Sequence, residues 1–310
     1  MHPAFSVLFF TVASGAGYGL ISLSTFGYLV GFSDLQQQNT LLISICVAIF
    51  LITVGLLSST FHLANPKNAW RSFSRFRTSW LSREAVFAVL FYPVALIYLA
   101  GLWFESDNGS MAFMLAGIAS IILSLTTLFC TAMIYASLKT IRQWHTPLTP
   151  INYLLLGLAS GATLLLAVQA MTMGVISDLL RNFALFFLVL GCLAKLLYFL
   201  SIGKPEGSTI NTATGFTQAS VRLLDQGHSS NGFLNNEFCY SVEANKLLRL
   251  RIIMFLSAFV FPMLLLALTK TVVFIVAAAI LVLAGLLLER WLFFAEARHV
   301  VRLYHGDQRT

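Results

Sequence analysis

A histidine and a glutamate flank the first strongly polar stretch of the chain, and both side chains can exchange protons. His62 and Glu84 stand at the two ends of the sequence HLANPKNAWRSFSRFRTSWLSRE, each next to a long apolar run. The imidazole of histidine titrates near neutral pH, and a nearby carboxylate can orient it or pass its proton on. The two residues are therefore candidates for proton exchange with a ligand held where lipid meets water.

Five cations accompany this pair, together with regularly spaced aromatic side chains. Trp70, Phe73 and Phe76 recur every three residues. This pattern favours a short helix lying in a membrane interface, with its aromatic side chains towards lipid and its cations towards water. Ser82 is predicted to cap the next helix, where the helix dipole would also stabilise Glu84. The five cations are Lys67, Arg71, Arg75, Arg77 and Arg83.

The composition is that of a membrane protein. The 310 residues are 58% hydrophobic and only 10% charged, whereas a soluble domain carries about 25% charged residues. A membrane span needs about 20 apolar residues, and it must be helical because a lipid-exposed backbone has to satisfy its own hydrogen bonds. The sequence therefore predicts an all-α polytopic membrane protein with a single domain over 1–310. Its eight predicted helices cover 5–31, 40–63, 84–104, 111–137, 151–171, 179–201, 250–269 and 271–294.

The distribution of lysine and arginine predicts how the bundle is oriented. Eight spans put both termini on one side together with the loops 64–83, 138–150 and 202–249, and that side carries 16 of the 19 lysines and arginines. By the positive-inside rule this side is cytoplasmic, which explains the net charge of +7 without nucleic acid as a partner. The long polar loop 202–249 is predicted to be a docking surface or a lid.

The residues within the spans argue against several other functions. Only His62 of the six histidines touches a span, so no haem with axial histidines is expected. The four cysteines lack metal-type spacing, so neither a metal site nor an iron–sulfur cluster is expected in this chain. An ion-coupled transporter usually has ionisable residues near the middle of its spans, and none lies there. Lys195 is predicted to snorkel to the interface, and Glu289 to pair with Arg290 or another nearby cation.

Two pairs of small residues predict where helices approach closely. Gly15 and Gly19 in the first span, and Gly157 and Gly161 in the fifth, each have the G-x-x-x-G spacing. Such pairs allow two helix backbones to come together within a membrane.

Two interpretations of the stretch 62–84 follow from the residues alone. In the first, His62 ends one helix, Glu84 begins the next, and the arginines merely obey the positive-inside rule. In the second, the two residues bind a quinone headgroup. Quinone chemistry moves two electrons and two protons, and it needs hydrogen-bond partners at the carbonyl oxygens that also exchange protons.

A resemblance to a known family favours the second interpretation. The pattern H-L-x-x-P-x-x-A-x-x-S-x-x-R-x-x-x-S-x-L-S-x-E, which runs from His62 to Glu84, resembles the dimethyl sulfoxide reductase membrane anchor family (DmsC-type). The opening HPAFSVLFFTVASGAGYG is similar to that of anchors associated with sulfite-oxidising molybdoenzymes. The segments YASLKTIRQWHTPLTP and ERWLFFAEARHVVRLYHG also fit, so the resemblance extends over essentially the whole chain.

The resemblance implies a haem-free anchor subunit in the bacterial inner membrane that is not itself catalytic. Its partners would be an iron–sulfur electron-transfer subunit and a molybdopterin catalytic subunit, and its ligand a quinone, either menaquinone or ubiquinone. His62 and Glu84 are the implied quinone-site residues, with Arg83 near the headgroup, and the opening sequence favours sulfite oxidation over sulfoxide reduction. The alternatives from another class are a membrane transporter or a quinone-independent membrane scaffold. The cations expected to dock the iron–sulfur subunit are Lys67, Arg71, Arg75 and Arg77.

Overall fold

Eight long apolar helices make up most of the computed structural model, which describes residues 3–61, 63, 65–104, 111–202, 207–225, 240, 242–305 and 307–310. Within these ranges the only β-structure is two isolated bridges, and the predicted all-α, polytopic membrane architecture is confirmed. Each helix is long and apolar enough to cross a membrane. The helices are α1 (Phe5–Val30), α2 (Gln38–Thr60), α3 (Trp80–Trp103), α4 (Met111–Ala136), α5 (Leu148–Met173), α6 (Asp178–Ile202), α7 (Ala244–Leu268) and α8 (Val272–Ala295).

The helices α1 and α5 form the centre of the bundle. About 83% of the apolar stretch of α1 and 72% of that of α5 is buried, against 39% or less for the other six helices. A Cβ atom on Gly19 would overlap the carbonyl of Gly157, and one on Gly161 would overlap the backbone of Gly19. The two G-x-x-x-G pairs therefore pack against each other, which confirms the close helix contact that their spacing predicts.

Because the helices alternate in direction, α2, α4, α6 and α8 end, and α3, α5 and α7 begin, at the same end of the bundle. We call this end the basic face, since most of the described lysines and arginines lie on or next to these helix ends. Its assignment to the cytoplasm remains a prediction. The opposite end consists of the short connections between α1 and α2, α3 and α4, α5 and α6, and α7 and α8.

The helix α3 begins four residues earlier than the sequence predicts. Its N-cap is Ser79, whose side chain accepts a hydrogen bond from the backbone N–H of Ser82 at 3.4 Å. The prediction that Ser82 caps the helix is therefore wrong, because Ser79 has the extended backbone of a cap whereas Ser82 is helical and buried. As a result, Glu84 lies in the second turn of α3 and inside the bundle.

The connection between α2 and α3 contains the short helix that the aromatic spacing predicts. It is a 3-10 helix over Pro66–Arg75. Since a 3-10 helix has three residues per turn, Trp70, Phe73 and Phe76 follow one another along one side, and all three are exposed. Phe76 also packs edge-on against Phe87 of α3, with 5.8 Å between ring centroids, so the connection rests against the start of that helix.

Candidate functional site

Glu84 is buried near the basic face and is held by a hydroxyl group of the neighbouring helix. Its side chain is only 6% exposed. The Oγ1 of Thr131, on α4, donates a hydrogen bond to Oε1 of Glu84 at 2.5 Å. No lysine or arginine in the described part of the chain forms a salt bridge with this carboxylate. The carboxylate therefore receives its support from a neutral donor.

The hydroxyl of Thr131 belongs to a polar stripe along α4. Ser120, Ser124, Thr127 and Thr131 recur every three or four residues, so they share one side of the helix, and all four are buried. The Oγ1 of Thr131 also lies 3.0 Å from the carbonyl of Thr127. Since a hydroxyl has one proton to donate, it can turn from the Glu84 carboxylate to the backbone when Glu84 becomes protonated.

Two tyrosines lie near Glu84. They are Tyr18 of α1 and Tyr135 of α4, whose hydroxyl groups are close enough to be affected by a charge on its carboxylate. The ring of Tyr18 packs edge-on against Phe91 of α3, with 5.4 Å between centroids. Glu84 is thus enclosed by three helices and can be accommodated in either charge state: the hydroxyl stabilises the carboxylate, and the protonated form leaves no charge buried.

His62 and Arg83 are the two other residues predicted to bind the ligand. His62 lies outside the described residues. It follows the end of α2 at Thr60 by two positions, and α2 ends on the same face of the bundle at which α3 begins. Arg83 donates from Nε to the carbonyl of Phe76 at 3.0 Å and from Nη2 to that of Arg77 at 2.8 Å. Its guanidinium also lies 4.1 Å from the ring centroid of Trp80, so it fastens the end of the α2–α3 connection to α3.

The four cations predicted to contact a partner are all exposed. None of them forms a salt bridge with a carboxylate in the described part of the chain. Their charges therefore face solvent at the basic face, three of them on the 3-10 helix and one just after it. They are Lys67, Arg71, Arg75 and Arg77.

A second buried polar cluster lies where α5, α6 and α8 meet. Lys195 and Arg290 both pair with Glu289, the arginine through Nε and Oε2 at 2.7 Å. The predicted pairing of Glu289 with Arg290 is confirmed. The prediction that Lys195 snorkels to the interface is wrong, because its side chain is 1% exposed and turns inward to the Glu289 carboxylate. The guanidinium of Arg290 lies 3.8 Å from the ring centroid of Tyr153.

Aromatic rings connect this cluster to the surroundings of Glu84. Tyr153 stacks on Tyr135, with 5.9 Å between ring centroids and 23° between their planes. Sequence reasoning identified neither these tyrosines nor Thr131. One signal in the sequence could have identified Thr131: serine and threonine recur at helical spacing along α4. Such a polar stripe is unusual on a side of a helix that faces lipid, and so it indicates a side that faces other helices.

Comparisons with known proteins agree with the resemblance noted in the sequence. Residues 1–295 match the family model of the DMSO reductase anchor subunit (DmsC). The chain is 36% identical to a sulfite dehydrogenase subunit of Allochromatium vinosum, over 98% of this chain and 99% of that protein. It is also 25% identical to the anaerobic dimethyl sulfoxide reductase chain YnfH of Escherichia coli, over 52% of this chain and 56% of that protein.

Proposed function

Because the chain belongs to the family of DMSO reductase anchor subunits (DmsC), we propose that it anchors a quinone-linked oxidoreductase complex in the bacterial inner membrane. Its partners are an iron–sulfur electron-transfer subunit and a molybdopterin catalytic subunit, docked on the basic face, which is cytoplasmic. The substrate of the complex is sulfite, a proposal supported by the likeness to the sulfite dehydrogenase subunit of Allochromatium vinosum and by the opening sequence.

The observation that carries the quinone site is the buried carboxylate of Glu84, which accepts a hydrogen bond from Thr131 and forms no salt bridge with a lysine or arginine among the described residues. Two residues earlier on α3, the Oγ of Ser82 is buried and has no hydrogen-bond partner among the described residues. Around the same end of the bundle, Phe61, Leu63 and Leu81 are exposed, which suits a ligand with a long apolar tail. These residues fit a quinone headgroup at the lipid boundary.

A bound quinone supplies two-electron, two-proton chemistry, and the residues of this chain handle the protons. Glu84 accepts or releases one proton at its carboxylate, while Thr131 keeps that group oriented by switching its hydroxyl between Glu84 and the carbonyl of Thr127. His62 hydrogen-bonds a quinone oxygen and exchanges the second proton. Arg83 borders the headgroup and fixes the connection that carries His62 to the start of α3.

The four exposed cations of the 3-10 helix and of the positions just after it are proposed to dock the iron–sulfur subunit: Lys67, Arg71, Arg75 and Arg77. They project from the same connection that leads from α2 to α3. An acidic surface on the partner would therefore place an iron–sulfur cluster close to the quinone. Rim charges of this kind mainly govern the rate and the salt dependence of association.

Two variants of the intact complex test the site. We expect His62→Ala and Glu84→Gln to abolish most of the quinone-linked turnover while leaving turnover with a soluble artificial electron carrier unchanged, because only the quinone step uses these groups. Unchanged quinone-linked turnover in either variant would show that the residue does not serve the site. Uptake of a solute by vesicles that contain this chain without its partners would instead favour a transporter.

A further inference from the structure

A cavity of about 410 Å³ opens at the basic face, where α6 and α8 end and α7 begins. It is separate from the surroundings of Glu84, which are built from α1, α3 and α4. Its wall combines apolar side chains, among them Ile202 and Leu247, with guanidinium groups from three parts of the chain: the α4–α5 connection, α7 and the segment after α8. These are Arg142, Arg251, Arg298, Arg302 and Arg309.

Backbone pairing fixes the segments that form this cavity. The N–H of Val300 donates to the carbonyl of Thr140 at 3.1 Å, which ties the segment after α8 to the α4–α5 connection. Residues 308–310 pair with 208–210 through two further backbone hydrogen bonds of 3.1 and 3.2 Å. The arginines thus converge because the backbone holds their segments together, so the cavity is preorganised for a ligand.

Two of the arginines are neutralised by neighbouring carboxylates. Arg251 contacts both carboxylate oxygens of Glu296 at 2.8 Å, and Arg302 pairs with Asp307 at 2.5 Å. These pairs use the guanidinium geometry that suits two-point contacts with carboxylates and phosphates. These two pairs anchor the wall of the cavity, and Arg142 also has an interaction partner of its own.

Arg298 and Arg309 are the arginines of the wall that remain for such a ligand. Both are exposed, and neither forms a salt bridge with a carboxylate within the described ranges. Two guanidinium groups on one cavity match an anion that carries two phosphates.

The surroundings of the cavity favour a lipid as the source of these phosphates. Only about 33% of the apolar stretch of α6 and 28% of that of α7 is buried. Leu247 lines the cavity, and the neighbouring Leu248 and Ile252 of α7 are 58% and 51% exposed. An apolar surface therefore continues from the cavity along the lipid-facing side of α7, where acyl chains can lie.

We propose that this cavity binds the headgroup of an anionic phospholipid with two phosphates, of the cardiolipin type. Basic pockets between spans are suited to such headgroups. The guanidinium groups of Arg298 and Arg309 contact the phosphates, and the acyl chains follow α7. The lipid joins the segment after α8 to the rest of the basic face, and it stabilises the folded protein because it binds only that state.

The intact complex, stripped of lipid in detergent, provides the test. Cardiolipin, phosphatidylglycerol and inorganic pyrophosphate are titrated separately, and binding is followed by native mass spectrometry and by the midpoint of thermal unfolding. The variant R298Q/R309Q is compared with K139Q/R249Q, which removes two exposed cations that do not line the cavity.

The expected size of the effect follows from the number of cations removed. Each cation near a membrane surface contributes roughly 1 kcal/mol to the binding of an anionic lipid, and 1.4 kcal/mol is a factor of ten. We therefore expect R298Q/R309Q to bind cardiolipin about 10- to 30-fold more weakly.

The supporting result is tight binding of cardiolipin to the wild type and to K139Q/R249Q, with a raised unfolding midpoint that R298Q/R309Q loses. Equal affinity of all three proteins for cardiolipin would overturn the proposal. Pyrophosphate binding as tight as cardiolipin would assign the cavity to a soluble anion instead. Loss of the iron–sulfur subunit from R298Q/R309Q, with lipid binding intact, would assign it to a protein partner.

Discussion

Thr131 and Glu84 depend on each other through a single buried hydrogen bond of 2.5 Å. A buried carboxylate is usually paired with a cation, because an isolated buried charge is costly. Here the nearby basic residue, Arg83, is instead engaged with two backbone carbonyls and with Trp80. The absence of a fixed counter-charge among the described residues keeps both protonation states of Glu84 accessible, which is what a proton-exchanging group needs.

Replacing Thr131 by valine should impair the quinone step without unfolding the protein. A hydrogen bond to a charged group contributes roughly 1.5–3 kcal/mol, so we expect Thr131→Val to slow quinone-linked turnover of the intact complex about tenfold or more. Thr131→Ser should retain most of the rate because it keeps the hydroxyl. Thr53→Val, which removes a hydroxyl bonded to Tyr92 at 2.9 Å, is the matched control and should have little effect. Equal rates for Thr131→Val and Thr53→Val would refute the positioning role.

The buried cluster around Glu289 is predicted to be a stability element. Removing one partner of a buried ion pair costs about 3–5 kcal/mol, since it leaves an uncompensated charge. Glu289→Gln leaves both Lys195 and Arg290 without a carboxylate and should lower the thermal unfolding midpoint markedly. The double variant Lys195→Met with Glu289→Gln should recover part of the loss. A double variant less stable than Glu289→Gln alone would contradict this account of the cluster.

At the scale of elements, the contact between α1 and α5 organises the bundle. Both helices are mostly buried, and their glycines face each other at the crossing. Because α1 also supplies Tyr18, a shift of α1 away from α5 would move one wall of the surroundings of Glu84. We therefore expect the glycine pairs to affect the site although they do not contact Glu84.

The two glycines of α1 should respond differently to substitution. A Cβ on Gly19 would overlap the backbone of α5, whereas one on Gly15 would lie 3.7 Å from Leu128, an ordinary contact. Overpacking of this kind costs about 1–3 kcal/mol. We expect Gly19→Ala to lower the thermal unfolding midpoint by several degrees and Gly15→Ala to leave it nearly unchanged. The same midpoint for both variants would mean that the helices can separate without cost.

The sequence predicts most elements because hydropathy is a direct consequence of the membrane environment. The eight spans agree with the helices to within a few residues at most ends, and the aromatic spacing correctly predicts the short helix of the first connection. Local choices were harder to predict. Ser79 and Ser82 are both suitable caps by residue type, and only the backbone decides between them. Whether Lys195 reaches solvent depends on the distant Glu289, and the contact of Thr131 with Glu84 joins residues 47 positions apart.

For the whole molecule, the uneven distribution of charge sets the expected orientation. The sequence predicts that sixteen of the nineteen lysines and arginines belong to the side that carries both termini. The proposed quinone site, the docking cations and the lipid cavity all lie at the corresponding end, the basic face. The soluble partners and the quinone therefore meet on the same side of the membrane. The proposed function places that side in the cytoplasm.

Cysteine labelling checks the orientation. In a background without the four native cysteines, Ser74→Cys lies on the basic face and Lys270→Cys at the opposite end; both positions are exposed. We expect a membrane-impermeant thiol reagent to label Lys270→Cys in spheroplasts and Ser74→Cys only after the membrane is opened. The reverse pattern would place the basic face outside.

Photolabelling with a quinone tests the central claim most directly. A short-chain quinone that carries a photoreactive azide is bound to the purified complex, illuminated, and located by peptide mapping. We predict that the label is found between residues 61 and 87 or near Thr131, that excess unlabelled quinone prevents it, and that Glu84→Gln reduces it strongly. Labelling confined to other helices would contradict the assignment of the quinone site to Glu84. So would labelling of the expected peptides whose yield is the same in the wild type and in Glu84→Gln.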